Sequence, residues 1–263
     1  MASEVSLSEL EERGYTVISN FLPLTTTTAL RETIDRLAPS ILPADIPDVR
    51  RVYDLRHPLS EPIMAEIITP KLIALAQDTL RVPEVSRLRL LEQVLIRTDP
   101  KPPPYSSTGW HIDWAFYPRE YYATPKQTYY HMVHACSTVE AGGGAFTIVP
   151  RSHHLTYKAT AQCETDEELE EFKKNPAEWA GVNLSEGVEV LAQEGDLIIF
   201  NPMCLHSASA NSRKQPRYVY FASFFDVSAE RLLHNMKQTN YLKGFPDDLR
   251  NALPVEYRTL LDW

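Results

Sequence analysis

Arg87-Leu88-Arg89-Leu90-Leu91-Glu92-Gln93-Val94-Leu95-Ile96-Arg97 is the stretch at which the chain changes its periodicity. Upstream, apolar residues recur at helical spacing: Leu30, Ile34 and Leu37 predict a helix over 25–38, and Leu72, Ile73, Leu75, Ala76 and Leu80 predict another over 70–81. Ser6 followed three residues later by Glu9 has the form of a capping box opening a short helix that Gly14 ends, and Tyr15-Thr16-Val17-Ile18 is a brief β-prone run. The segment 39–62 is Pro-rich and reads as irregular cover for one face of the core.

From Val85 onward the pattern is one of strands. Arg87–Arg97 is the first, and Gln127–Val139 is a second long one. The glycines of Ala141-Gly142-Gly143-Gly144-Ala145 make a turn into Phe146–Pro150. Val188–Leu191, a Glu194-Gly195-Asp196 turn, Leu197–Phe200 and Arg217–Phe225 follow, with an acidic surface helix over 164–174 inserted between strands. Helices first and hairpin-spaced strands after them predict an α+β fold, a double-stranded β-helix (jelly-roll, cupin-like) core with flanking N-terminal helices. Residues 1–263 read as a single domain: a helical part to about 84, a jelly roll over about 85–226 and a helical tail over about 227–263.

The net charge of −9, from 26 basic and 35 acidic residues, argues against nucleic acid or an anionic membrane as partner. No apolar run approaches the roughly 20 residues of a membrane helix. Met1-Ala2-Ser3-Glu4 shows no signal-peptide pattern, so a cytoplasmic location is expected, as a monomer or homodimer. Cys136, Cys163 and Cys204 are widely spaced and form no CxxC pair, which speaks against a disulfide framework or a cysteine zinc site; Cys204 reads as a small buried residue.

Within the strand region stands Gly109-Trp110-His111-Ile112-Asp113-Trp114, answered far downstream by Leu205-His206-Ser207. A His and a carboxylate two apart share one face of an extended strand. With a remote second His they make three ligands for one face of an octahedral ion, the facial triad of non-haem Fe(II) oxygenases. A lone His-x-Asp recurs by chance, so its company matters. Arg217 opens the apolar strand Tyr218-Val219-Tyr220-Phe221-Ala222, where a guanidinium is costly unless it meets an anion such as the far carboxylate of a dicarboxylate cosubstrate.

The chain resembles the phytanoyl-CoA dioxygenase family of Fe(II)/2-oxoglutarate-dependent oxygenases. The resemblance rests on Gly14–Leu22, Trp110–Trp114, Gly144–His153 and Gly195–Phe200 through His206 and Arg217. It implies that His111, Asp113 and His206 hold iron and that Arg217 binds the distal carboxylate of 2-oxoglutarate. It also implies that O₂ and 2-oxoglutarate oxidise a substrate C–H bond, giving succinate and CO₂, with ascorbate stimulating. The outcome ranges over hydroxylation, desaturation, cyclisation, epoxidation and endoperoxide formation. Asp113 argues against halogenation, since related halogenases carry a small residue there. Two departures are Ile112, where the family often has Gln, and Arg151, where the family's PGSH turn has Gly.

Gln93 and His134 are candidates to reach the cosubstrate or substrate, against an edge or loop contact for Gln93 and a satisfied core histidine for His134; His131 is expected to face the other way, and Trp114, Phe116 and Tyr117 either wall the substrate pocket or are ordinary core aromatics. Arg119, Arg151 and Tyr105 are further candidates for an anionic substrate, and the adjacent His153 and His154 read as structural. The acidic balance gives no support for a CoA-binding surface; a small molecule of secondary or amino-acid metabolism fits better. Two other classes use the same residues: a non-catalytic cupin-like binding domain, which has no need for both the triad and Arg217, and a zinc-dependent hydrolase, which has no role for Arg217.

Overall fold

The computed structural model describes residues 4–38, 51–56, 61–101, 108–113, 129–227 and 245–262. Helix α1 (Glu4–Arg13) runs into strand β1 (Tyr15–Ile18) through Gly14, whose φ of 83° only glycine adopts at little cost. The helix already begins at Glu4, so Ser6 is not its cap; Glu9 pairs instead with Arg13 and accepts from Thr16. Helices α2 (Leu24–Leu37), α3 (Ile63–Glu66) and α4 (Pro70–Leu80) follow. In α4 the Thr69 hydroxyl accepts from Leu72 N, Pro70 sits at the first turn where its missing N–H costs nothing, and Arg81 ends the helix in the left-handed region.

Among the described residues ten strands form two antiparallel sheets. After β2 (Arg51–Arg56) and β3 (Leu88–Asp99) come β4 (Thr108–His111), β5 (Tyr129–Ala135), β6 (Phe146–Ile148), β7 (Val188–Val190), β8 (Leu197–Phe200), β9 (His206–Ala208) and β10 (Arg217–Asp226). The larger sheet has the order β1-β8-β5-β10-β3-β2 and the smaller β4-β9-β6-β7. This is the expected jelly-roll arrangement. Strand β2 falls in the stretch read as irregular, and a helix over Ser152–Thr160 was not foreseen. The acidic helix forms over Asp166–Lys174 with a capping box made by Thr165 and Glu168.

Each face of the larger sheet has its own core. On the outer face, α2, α3, α4 and the C-terminal segments Asp247–Ala252 and Val255–Leu261 bury Leu30, Ile34, Leu72, Ile73, Leu249 and Leu260 against Leu90, Met132, Tyr220 and Phe224. On the inner face, Val133, Ile198, Phe200 and Val219 meet Phe146, Ile148 and Val190 of the smaller sheet. Because both faces are covered, all seven residues of β5 are buried. Among the described residues no helix is long and apolar enough to cross a membrane, and all three cysteines are free and buried.

Candidate metal centre

His111 ends β4 directly opposite His206, which begins β9, so the ladder sets their imidazoles side by side with centroids 4.3 Å apart. The strand stops at His111. Asp113 therefore lies beyond it rather than within it, and is held by its backbone N–H donating to Pro202 O at 2.8 Å. His111 Nδ1 is 2.6 Å from Gly109 O, and His206 Nδ1 is 2.8 Å from Cys204 O. A carbonyl only accepts, so each Nδ1 carries a proton, and each Nε2 is the ring nitrogen left over for a metal. Gly109, at φ 77°, bends the chain just ahead of His111.

Donor atoms of His111, Asp113 and His206 all lie within 4.8 Å of one another. His206 Nε2 is 3.1 Å from Asp113 Oδ2, and His111 Nε2 is 3.6 Å from Oδ1. Neighbouring ligands of an octahedral ion with bonds of roughly 2.1 Å stand about 3 Å apart, so these residues fit a facially bound divalent metal. His206 is buried, Asp113 partly covered and His111 exposed. Burial alone would raise the Asp113 carboxyl, but the imidazoles of His206 and His131 outweigh it and hold it well below the usual carboxylate range.

His131 was expected to face away and does not. Its Nε2 is 3.1 Å from Asp113 Oδ2, while Nδ1 is 2.8 Å from Ser223 Oγ and 3.1 Å from Glu92 Oε1. Burial depresses this imidazole, yet the two carboxylates overcome that and raise it to about 9. The signal for it was Glu92, a carboxylate in the middle of an apolar strand that needs a buried partner.

Gln93 and His134 project from the opposite, helix-facing side of the larger sheet, which corrects their expected place beside the cosubstrate. Gln93 Nε2 donates to Met64 O and to the Tyr220 hydroxyl, both at 2.7 Å. His134 stacks on Tyr220 with centroids 5.5 Å apart and lies 5.6 Å from Phe21; burial and the charge of Lys71 push it down to about 3.

Arg217 is the first residue of β10 and is buried; one of its Nη atoms is 3.4 Å from Thr98 Oγ1. Alternation puts Arg217 on the inner face of the larger sheet with Val219, Phe221 and Ser223, the last of which contacts His131 beside Asp113. Arg151 keeps the left-handed turn in place of glycine, at φ 66°, and pairs with Glu12 at 3.6 Å on the surface. His153 and His154 lie on the Ser152–Thr160 helix, each with Nε2 against a carbonyl of α1. Tyr105, Trp114, Phe116, Tyr117 and Arg119 lie outside the described residues.

The phytanoyl-CoA dioxygenase (PhyH) family matches residues 10–219. The chain belongs to this family and is a 2-oxoglutarate-dependent oxygenase. Solved structures share the fold. The epimerase SnoN, in complex with Fe3+, alpha ketoglutarate and nogalamycin RO, is 22% identical with a TM-score of 0.62, over 85% of this chain and 83% of that one. EvdO2 from Micromonospora carbonacea var. aurantiaca, complexed with 2-oxoglutarate, is 15% identical with a TM-score of 0.60, over 86% and 91%. HygX from Streptomyces hygroscopicus, with nickel and 2-oxoglutarate bound, is 17% identical with a TM-score of 0.58, over 86% and 88%. No curated protein matched the chain.

Proposed function

We propose that this oxygenase binds Fe(II) through His111 Nε2, Asp113 and His206 Nε2, anchors 2-oxoglutarate on Arg217, and oxidises a C–H bond of a small, natural-product-like molecule. The observation that carries this reading is the triad itself, in which two Nε2 atoms and a carboxylate gather within 4.8 Å while both Nδ1 atoms are taken up by backbone carbonyls. Iron(II) with 2-oxoglutarate and O₂ supplies the oxidant, the cosubstrate leaving as succinate and CO₂. The chain's own part is placement. The β4–β9 ladder sets the angle between the imidazoles, and the inner-face residues Val219 and Phe221 keep the ground between triad and Arg217 apolar, where a guanidinium–carboxylate pair is strong. The substrate reading is supported by the net charge of −9, which gives no support for a site for CoA phosphates, and by the natural-product ligands named for proteins that share the fold. The helical part, the jelly roll and the tail act as one domain in this reading, since both ends of the chain share the outer-face core.

Anaerobic titration with Fe(II) and then 2-oxoglutarate tests the reading. The visible charge-transfer band of chelated 2-oxoglutarate should form, and succinate should appear on admitting O₂. His206→Ala should abolish both. Arg217→Ala should leave metal binding intact and raise the 2-oxoglutarate requirement roughly 10- to 100-fold, the weight of a charged hydrogen-bonded pair. An unchanged requirement would remove Arg217 from its role, and tight zinc with no response to 2-oxoglutarate would overturn the metal assignment.

A further inference from the structure

We propose that His131 is a positioning residue of the metal centre. Anchored by Glu92 and Ser223, it clasps the Asp113 carboxylate and fixes the orientation in which that carboxylate meets the ion. The inference rests on the reading of His111, Asp113 and His206 as ligands.

The arrangement joins the two sheets at the triad. Asp113 hangs from the chain that leaves β4 of the smaller sheet, while Glu92, His131 and Ser223 stand on β3, β5 and β10 of the larger. Glu92 and Ser223 are direct cross-strand partners, and the Ser223 hydroxyl is 3.3 Å from Glu92 Oε1. Both lie within hydrogen-bond reach of His131 Nδ1, so the ring is fixed from behind and Nε2 projects to within 3.1 Å of Asp113 Oδ2. Aromatic rings fix its plane as well: Phe200 stacks on it at 5.0 Å, and Tyr129 meets it edge-on at 5.2 Å. The Tyr129 hydroxyl also donates to Asp113 O at 2.7 Å, a second hold on the same residue.

A buried carboxylate such as Glu92, 5% exposed, is costly to a fold that could pack an apolar side chain there. The cost is intelligible if the group fixes His131, because the partners of metal-ligating side chains set ligand orientation, and losing one typically weakens metal binding 10- to 100-fold.

The test is metal binding by the full chain, with Mn(II) titrated calorimetrically and Co(II) followed by its ligand-field absorption. His131→Leu should weaken Mn(II) binding about 10- to 100-fold and alter the Co(II) band, and His131→Gln, whose amide reaches where Nε2 stood, should recover most of the affinity. Glu92→Gln should give a smaller loss in the same direction. Folding of the metal-free variants is checked by circular dichroism; if His131→Leu does not fold, Glu92→Gln and Ser223→Ala decide the matter. Wild-type affinity and an unshifted Co(II) band in folded variants would overturn the proposal while leaving the triad standing. Failure of the wild-type chain to bind either ion would instead sink the metal reading and this inference with it.

Discussion

Gly14 joins α1 to β1 against Cys204 and His153, and Gly14→Ala tests how tightly that corner is built. At φ 83° an alanine takes on a left-handed conformation costing about 1–2 kcal/mol. Its Cβ would also fall on Cys204 Sγ and come within 2.7 Å of His153 Nδ1, both in the protein interior. Overpacking of this kind costs about 1–3 kcal/mol, so the single substitution should lose about 2–5 kcal/mol. Cys204→Ala alone, which removes one buried atom, should lose about 1 kcal/mol. Combined, the new methyl occupies the space the sulfur left, and the double variant should be about 1–3 kcal/mol more stable than the sum of the singles. Urea unfolding of metal-free protein, followed by circular dichroism, measures all four corners of the cycle. Additivity within about 0.5 kcal/mol would refute the steric account and leave backbone strain as the whole effect. Since Cys204 O holds His206 Nδ1, the single variant should also weaken metal binding, and the double should restore part of it.

Arg151→Gly relieves the same kind of strain at φ 66° and gives up only an exposed ion pair with Glu12; we expect a gain of about 0.5–1 kcal/mol in chemical denaturation, and a loss would count against the strain argument. His134 stays neutral in the fold down to about pH 3, whereas the unfolded chain takes up the proton near pH 6.5, so stability should drop as pH falls from about 6.5 towards 3, by roughly 1 kcal/mol per unit. His134→Phe should flatten that slope in unfolding experiments run across the window without altering turnover; an unchanged slope would show that the imidazole is not buried neutral.

The gathering of His111, Asp113 and His206 was legible because few other roles explain those residue types in that pattern, and because the two-residue spacing survives in extended chain even though β4 stops before Asp113. The face of β5 was not legible. Sequence patterning marks a strand's inner side only when the other side is wet, and β5 is buried throughout, so nothing in Tyr129–Ala135 distinguishes His131 from His134. Gln93 went astray for the same reason, on a β3 whose middle is buried on both sides. The helix over Ser152–Thr160 hid behind Arg151, which lacks the glycine that usually announces a left-handed turn.

The strand order of the larger sheet sets a schedule for synthesis. Tyr15 pairs with Phe200, His131 with Phe200 on its other edge, and Thr98 with Arg217, so sheet neighbours are made far apart in time as the chain emerges. Closing such loops ahead of the contacts that reward them makes folding slow. β5 gains both of its neighbours only once β10 has been made, and β10 carries Ser223, which anchors His131. A nascent chain released before that point holds His111 and Asp113 without the wall behind them. On the proposed reading, iron would meet a complete site only after the sheet has closed, and would act as a lock on the finished fold rather than a template for its collapse.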